Sequence, residues 1–198
     1  MNCAPKTDET RQFVARQEEV NAHHFLRYVL ASSVAEGRVL DAACGCGYGS
    51  RFLWEKTQDV VGVDIHPPAI EWANKHFPGP SYLVGDLEKE PWEGRFQAVV
   101  SLETLEHLPR PEIALEGFRR ACRGVLVASV PNEEVYPFDP KKFEGDQYPH
   151  QRHYTPGEFD QLLTSCGWKV LDRFSQKSKQ EPIPQAGTAG AFLIYVCE

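Results

Sequence analysis

The feature that most constrains the fold of this chain is the stretch over residues 39–50, which reads VLDAACGCGYGS. A short apolar run containing Asp41 is followed by glycines at alternate positions, 45, 47 and 49. Glycine lets a backbone adopt positive φ and approach a ligand closely. Residues 50–56 are compatible with a helix. The pattern therefore predicts a strand, a tight turn and a helix whose N-terminus faces a ligand beyond the sheet.

Strand and helix patterns alternate along the chain after this stretch. Strands are predicted at residues 39–42, 59–64, 81–84, 96–101 and 124–130. Helices are predicted at residues 67–77, 111–122 and 156–165, the last beginning at a capping box that starts with Thr155. Such alternation is typical of a parallel sheet that is covered by helices on both faces.

The organisation within this α/β chain follows from the remaining segments. Two strand patterns at residues 168–174 and 191–197 have no helix between them, so we expect them to pair antiparallel at one edge of the sheet. A length of 198 residues suits a single domain, residues 1–198. Residues 1–35 are expected to form a helical lid, and residues 131–154 are expected to form a substrate-side loop, because connections of this length are usually functional.

Composition narrows the location and the partners. No apolar run reaches the about 20 residues of a membrane span, and the polar start of the chain lacks the apolar core of a signal peptide, so a cytoplasmic location is predicted. The net charge of −7 disfavours a nucleic-acid or anionic-membrane partner. None of the six cysteines belongs to a CxxC pair, and free thiols are expected.

Acidic residues lie at nearly every predicted strand end, where open parallel sheets bind their ligands. An acid after the second strand, Asp64, suits the diol of a ribose. Two cofactors fit this pattern: a dinucleotide, through Gly45-x-Gly47-x-x-Ser50, and S-adenosylmethionine, which carries an ammonium and a sulfonium. Asp41 would repel a pyrophosphate, and the chain leaves little room for a second substrate domain. The pattern therefore favours S-adenosylmethionine.

From about residue 25 to its C-terminus the sequence resembles the class I S-adenosylmethionine-dependent methyltransferases. Residues 39–47 are similar to their first motif, with Ala43 where a glycine is frequent. The resemblance implies a Rossmann-like, doubly wound, seven-stranded sheet, mostly parallel with a C-terminal antiparallel hairpin. It also implies a set of cofactor-binding residues: Asp41, Ala43, Cys44, Gly45 and Gly47 at the methionine end, Asp64 at the ribose, Ile65, Asp86 and Leu87 at the adenine, and Ser101 on the fourth strand.

A second motif, Glu103-Thr-Leu-Glu106-His107, follows the fourth strand. Its three polar side chains would share one face of a helix and could bind a divalent metal. His107 could instead act as the general base, assisted by Glu103 and Glu106. Methyl transfer is an in-line displacement on a sulfonium carbon, so a base or a metal that lowers the pKa of an acceptor hydroxyl is sufficient.

This Glu-x-x-Glu-His pattern is similar to a motif of ubiquinone-type phenol O-methyltransferases and of small-RNA 3′-end 2′-O-methyltransferases. In the RNA enzymes two glutamates and two histidines hold a magnesium-like ion. The resemblance therefore implies a metal set of Glu103, Glu106, His107 and His150. The alternative is that Glu106 and His107 cap a helix and line a pocket without metal.

Three functions fit these observations. The first is methyl transfer to a hydroxyl of a small molecule, namely a sugar, a phenol or a biosynthetic intermediate. The second is metal-dependent RNA 2′-O-methylation, which the acidic charge disfavours. The third is a non-catalytic S-adenosylmethionine-binding subunit, which the intact motifs disfavour. The sequence does not determine the acceptor, the choice among oxygen, nitrogen and carbon, or the oligomeric state.

Overall fold

The computed structural model describes residues 13–89 and 95–198. Residues 1–12 of the predicted N-terminal lid, with Cys3, lie outside the described residues. The helices are α1 (Ala22–Val34), α2 (Tyr48–Thr57), α3 (Pro67–His76), α4 (Pro111–Ala121) and α5 (Pro156–Ser165). The strands are β1 (Val39–Ala42), β2 (Val60–Asp64), β3 (Ser81–Val84), β4 (Phe96–Leu102), β5 (Cys122–Pro131), β6 (Val170–Gln176), β7 (Gln185–Ala186) and β8 (Phe192–Cys197).

The strands form one sheet in the order β3-β2-β1-β4-β5-β8-β6-β7. Strands β3, β2, β1, β4 and β5 are parallel, and β8 is antiparallel to both β5 and β6. The mixed α/β architecture with a C-terminal antiparallel hairpin is thus confirmed. The later strand of the hairpin, β8, is inserted between β5 and β6 and does not lie at the edge.

The strand count differs from the expected seven because of β7. This strand has two residues and pairs with the end of β6 through Phe174 and Ser175. It lies in the polar, proline- and glycine-containing segment between β6 and β8, where no apolar periodicity marks a strand. Its existence depends on a partner strand and not on its own residues.

The core is divided between the two faces of the sheet. Successive residues along a strand point to opposite faces, so that Leu40 joins one buried cluster and Val39 the other. Helices α4 and α5 pack on the first cluster, and α1, α2 and α3 pack on the second. This two-sided burial explains why the central strands read as continuous apolar runs.

Local signals at the helix ends agree with the sequence. Thr155 and Glu158 form the capping box at the start of α5. The side chain of each accepts a hydrogen bond from the backbone N–H of the other. Prolines occupy the first turns of α3 and α4, where the missing N–H has no helical partner. The cysteines at positions 44, 46, 122, 166 and 197 are buried, and none of them forms a disulfide bond with another described residue. Among the described residues, no helix is long and apolar enough to cross a membrane.

Candidate functional site

A cavity of about 390 Å³ opens at the carboxyl ends of β1, β2, β3 and β4. The structure brings many of the predicted residues together in its wall: Ala43, Cys44, Gly45, Asp64, Ile65, Asp86, Leu87, Glu103 and His107. They come from four separate strand ends. Parallel strands present these ends at one edge of a sheet, which is why residues as distant in sequence as Ala43 and His107 share one wall.

Other predicted residues lie behind this wall. Asp41 and Ser101 are buried within β1 and β4, and the Ser101 hydroxyl has no hydrogen-bond partner among the described residues. Gly47 faces the interior, because a Cβ there would lie 2.5 Å from the Cβ of Ala73. Its positive φ of 88° at the N-cap of α2 also favours glycine. Gly47 is therefore needed for the conformation of the turn and for its close packing against Ala73, and it does not form part of the cavity wall.

Gly45 has the opposite environment. Its φ is +54°, and a Cβ there would meet nothing within 4 Å, so the bare backbone faces open space in the cavity. The Gly45 amide donates a hydrogen bond to Asp64 Oδ2 at 2.9 Å, and Asp64 Oδ1 accepts one from the His66 amide at 2.8 Å. Asp64 therefore ties the glycine loop to the start of α3 while it lines the cavity.

Asp41 is held by two hydroxyl groups. It accepts hydrogen bonds from Ser50 Oγ at 2.6 Å and from the Tyr28 hydroxyl at 3.1 Å, and it is 1% exposed. Burial raises its pKa to about 7, although both hydroxyl bonds oppose that shift. Asp41 therefore links α1 and α2 to β1, and it does not line the cavity of this structure.

Replacing Asp41 by Asn is expected to flatten the pH dependence of stability. The unfolded chain loses the Asp41 proton near the ordinary aspartate pKa of 3.8, while the folded chain keeps it up to about 7. Stability from this group is therefore present at low pH and decreases as pH rises, by up to roughly 4 kcal/mol. Urea unfolding of both proteins at pH 5 and pH 8 measures this. A wild-type decrease that Asp41→Asn fully retains would contradict the assignment.

A second group of side chains lies beside the cavity. Glu106, His107 and His150 each offer a ligand atom, and these atoms lie within 4.8 Å of one another. Glu106 is completely buried, and neither carboxylate oxygen has a hydrogen-bond partner among the described residues. Burial, with a smaller effect of the Glu103 charge, holds the Glu106 pKa well above its usual range. A buried carboxyl group without a partner is uncommon and calls for a ligand.

His107 and His150 are each hydrogen-bonded through Nδ1–H, which leaves a lone pair on Nε2 of each ring. His107 Nδ1 lies 2.8 Å from the Tyr148 carbonyl, which can only accept, so Nδ1 carries the proton. His153 Nδ1 likewise donates to the Tyr136 carbonyl at 2.7 Å. Its Nε2 then accepts from His150 Nδ1 at 2.9 Å. Burial lowers the pKa of His150 to about 3 and also lowers that of His153, so the rings of His150 and His153 are neutral.

Glu103 is separated from this cluster by the local backbone. The helix expected from the i, i+3, i+4 spacing is a single 3-10 turn, Leu105–His107, and Glu103 precedes it with φ +51°. Glu103 Oε1 accepts from Ser129 Oγ at 2.8 Å and lies 3.6 Å from Arg27 Nη1. Of the predicted metal set, the structure brings three residues together, while Glu103 lies in a different set of contacts.

Several wall residues were not among the predicted site residues. The N-terminal helix contributes His24, Arg27 and Tyr28, and the loop within residues 131–154 contributes Gln147, Tyr148, Pro149 and Gln151. One signal was readable for Arg27. A charged residue on the buried stripe of α1, between His23 and Ala31, must have a reason to be there.

Comparisons with known proteins agree with this geometry. Residues 39–124 match the family model of a methyltransferase domain. A Mycolicibacterium smegmatis protein described as a probable S-adenosylmethionine-dependent methyltransferase is 28% identical, over 76% of this chain and 59% of its own length. A ubiquinone biosynthesis O-methyltransferase of Xanthomonas campestris is 34% identical, over 51% of this chain and 44% of its own.

A solved structure shares the fold. The crystal structure of a TehB-like S-adenosylmethionine-dependent methyltransferase from Corynebacterium glutamicum has a TM-score of 0.64 at 25% identity, over 90% of this chain and 88% of that one. The chain spans only about half the length of the two curated relatives above. The family match covers the glycine loop and the acids at the ends of the parallel strands. Through this domain and these relatives, the chain is similar to the class I S-adenosylmethionine-dependent methyltransferases.

Proposed function

We propose that this chain transfers a methyl group from S-adenosylmethionine to a hydroxyl group of a small molecule. The observation that supports this most is that a single cavity is lined by the glycine loop, by Asp64 and Asp86, and by His107 of the Glu-His-His cluster. The proposed donor-binding groups and His107 thus face the same cavity. Holding both reactants in that space removes much of the entropic cost of their encounter.

The donor is proposed to lie along the ends of β1, β2 and β3. Asp64 would accept hydrogen bonds from the ribose hydroxyls, and Asp86 would accept one from the adenine amino group. Ile65 is 43% exposed although it is apolar and lines the cavity, which suits a flat aromatic base resting against it. The backbone of Gly45 would lie against the methionine moiety.

Gly45→Ala is expected to weaken S-adenosylhomocysteine binding by more than about tenfold, because a methyl group would occupy the space left for the ligand. The fold should tolerate it, since the added Cβ meets no atom within 4 Å and the positive φ costs about 1 kcal/mol. Gly187→Ala is the matched control, with φ +103° and equally open surroundings outside the cavity. Calorimetric titration of both variants should show a loss for Gly45→Ala alone. Equal affinities would contradict the placement.

A divalent cation is proposed to bind Glu106, His107 and His150. The residues fit such an ion, because two imidazoles present Nε2 lone pairs beside a buried carboxyl without a partner. Two nitrogens and one carboxylate suit Mn²⁺ or Zn²⁺ better than Mg²⁺, which prefers oxygen ligands. When bound, the ion would lower the pKa of an acceptor hydroxyl.

The neighbouring residues would orient the ligands of this ion. The Phe143 ring stacks on His150 with centroids 4.0 Å apart, and the bond from His150 Nδ1 to His153 fixes the tautomer. Tyr148 does the same for His107 through its carbonyl. These contacts arise from the segment of residues 131–154, which therefore supports the site from the acceptor side.

The acceptor is proposed to be a small molecule because of the walls on that side. Leu108, Pro109, Tyr148 and Pro149 give an apolar and aromatic lining, which suits a phenolic ring or a similarly compact group. A polynucleotide acceptor would require a basic groove, and the chain carries a net charge of −7.

The test is methyl transfer to a panel of acceptors in the presence of Mn²⁺. Catechol, simple phenols, free sugars and a 2′-hydroxyl RNA duplex would each be incubated with S-adenosylmethionine, and the gain of one methyl mass would be measured. We expect methylation of a small hydroxyl acceptor, and loss of that activity on chelation. Methylation of the RNA, with none of the small hydroxyl acceptors, would overturn the proposal.

A further inference from the structure

A second cavity, of about 560 Å³, lies within the segment of residues 131–154, next to the first cavity, which holds the proposed donor site. Its wall is formed largely by aromatic rings, prolines and a glycine: Phe138, Pro140, Phe143, Gly145, Pro149 and His150. The charged side chains of Lys141 and Glu144 also belong to this wall, and both are exposed. An apolar wall with a few polar groups is typical of a site for a small molecule.

The Glu-His-His cluster lies between the two cavities. His107 belongs to the wall of the first cavity and His150 to the wall of the second, while Glu106 is completely buried. Pro149 and Gln151 belong to both walls, so the two cavities are neighbours. Because the ligand atoms of the cluster lie within 4.8 Å of one another, a cation held by them would lie at the boundary between the cavities.

The rings in the wall of the second cavity form an ordered stack. Phe138 and Phe143 are parallel within 17°, with centroids 5.8 Å apart, and Phe143 stacks on His150 at 4.0 Å and 12°. The ring of His153 supports Phe138 at 5.4 Å and is itself held by the Tyr136 carbonyl. A preformed aromatic wall favours a flat apolar ligand, because such a ligand packs against it without reordering the side chains.

The first cavity offers little space for a large acceptor beside the donor. Sites that hold one drug-sized molecule measure about 300–1,000 Å³, and the first cavity measures about 390 Å³. In-line transfer also requires the acceptor oxygen to approach the methyl carbon from the side opposite the sulfur. An acceptor larger than a single ring therefore needs space beyond the donor, and the second cavity supplies it on the side of His150.

We propose that the second cavity binds the non-reacting part of the methyl acceptor, and that this part is an aromatic or similarly flat apolar group. The acceptor hydroxyl would lie at the Glu-His-His cluster, with the rest of the molecule passing Pro149 towards Phe138 and Phe143. The inference rests on the proposed function and deepens it, because it makes the acceptor a hydroxyl compound with a second apolar ring. The opposite charges of Lys141 and Glu144 suit an uncharged group better than an ion.

Two phenols that differ by one ring test the inference. Phenol would reach only the cluster, whereas 4-phenylphenol extends from it by a second ring. With S-adenosylhomocysteine and Mn²⁺ present, calorimetry is expected to show 4-phenylphenol binding at least about tenfold more tightly than phenol, since burial of an aromatic ring contributes this much or more. Equal affinity for the two phenols, or no measurable binding of either, would overturn the inference.

Filling the second cavity should remove the preference for the larger phenol. Gly145 has a φ of +92°, and a Cβ there would meet no atom within 4 Å, so Gly145→Leu adds bulk to the wall without a clash at Cβ. We expect this variant to bind 4-phenylphenol at least about tenfold more weakly than the wild type, with phenol changed by less than twofold. Gly187→Leu is the matched control, with φ +103° and equally open surroundings outside both cavities.

A second variant removes part of the wall in place of filling the cavity. Phe138→Ala deletes a ring that belongs to the second cavity and not to the first. It should also lower the preference for 4-phenylphenol, and a parallel titration with Mn²⁺ checks that the cluster is intact. A preference that Gly145→Leu and Phe138→Ala both retain in full would overturn the inference.

Competition with the donor product separates the two cavities. S-adenosylhomocysteine and 4-phenylphenol should bind together, whereas mutual exclusion would place the second ring in the donor cavity and overturn the inference. Absence of methyl transfer to every small hydroxyl acceptor, with the preference for 4-phenylphenol and its loss in Gly145→Leu both observed, would contradict the proposed function alone. The two proposals therefore fail in different ways.

Discussion

Replacing Glu106 by Gln is expected to weaken Mn²⁺ binding by more than about 100-fold, as is replacing His150 by Ala. Glu106→Gln replaces the anionic carboxylate by a neutral amide, and His150→Ala removes a ring nitrogen, from a set of three ligand atoms that lie within 4.8 Å of one another. The carboxyl of Glu106 has no other partner among the described residues, so nothing else in its surroundings explains its burial. Calorimetric titration with Mn²⁺ measures the loss directly.

Thermal unfolding separates loss of a ligand from loss of the fold. Burial raises the pKa of Glu106 well above its usual range and thus disfavours its charged form, and Gln is neutral and has nearly the same shape. Glu106→Gln should therefore leave the metal-free Tm nearly unchanged and remove the rise in Tm that Mn²⁺ gives the wild type. Glu71→Gln, at an exposed position of α3, is the control. A Mn²⁺-dependent rise retained in Glu106→Gln would exclude this cluster as the metal site.

Gly49→Ala is expected to be the most destabilising single methyl addition in the glycine loop. A Cβ at this position would lie 2.0 Å from Cζ of Tyr28 and 2.3 Å from two further ring atoms. The ring cannot move freely, because its hydroxyl is bonded to Asp41 at 3.1 Å. Overpacking of this kind costs about 3 kcal/mol or more, and urea unfolding measures it.

Two further variants test whether the clash with Tyr28 causes this loss of stability. Gly157→Ala adds the same methyl near the start of α5, where it meets nothing within 4 Å, and it should be neutral or stabilising by about 0.5 kcal/mol. Combining Gly49→Ala with Tyr28→Ala removes the ring that clashes with the new methyl group. The double variant should therefore lose much less unfolding free energy than the sum of the losses in the two single variants. Simple additivity would show that the clash with Tyr28 is not the cause.

Much of the fold was readable because local signals coincide with the elements. The bounds of β1 and β3 agree with their apolar runs, and α5 begins at its capping box. The position of β8 was not readable, since insertion between β5 and β6 depends on pairing across the sheet. The two residues of β7 carry no pattern of their own.

The cavity wall was readable wherever it follows from strand ends. Asp64, Asp86 and Gly45 meet because parallel strands end at one edge of the sheet. Arg27 was missed because its burial depends on Gln176 and Phe192, which are distant in sequence. Glu103 was expected to join Glu106, but its left-handed backbone turns it towards Ser129 and Arg27.

The most direct test of the central claim is calorimetric titration of the wild-type protein with S-adenosylhomocysteine and, separately, with NAD. The claim is that the cavity beside Gly45 takes the methyl donor. It predicts one-site binding of S-adenosylhomocysteine that is weakened by Gly45→Ala, and no binding of NAD. Binding of NAD without binding of S-adenosylhomocysteine would contradict it.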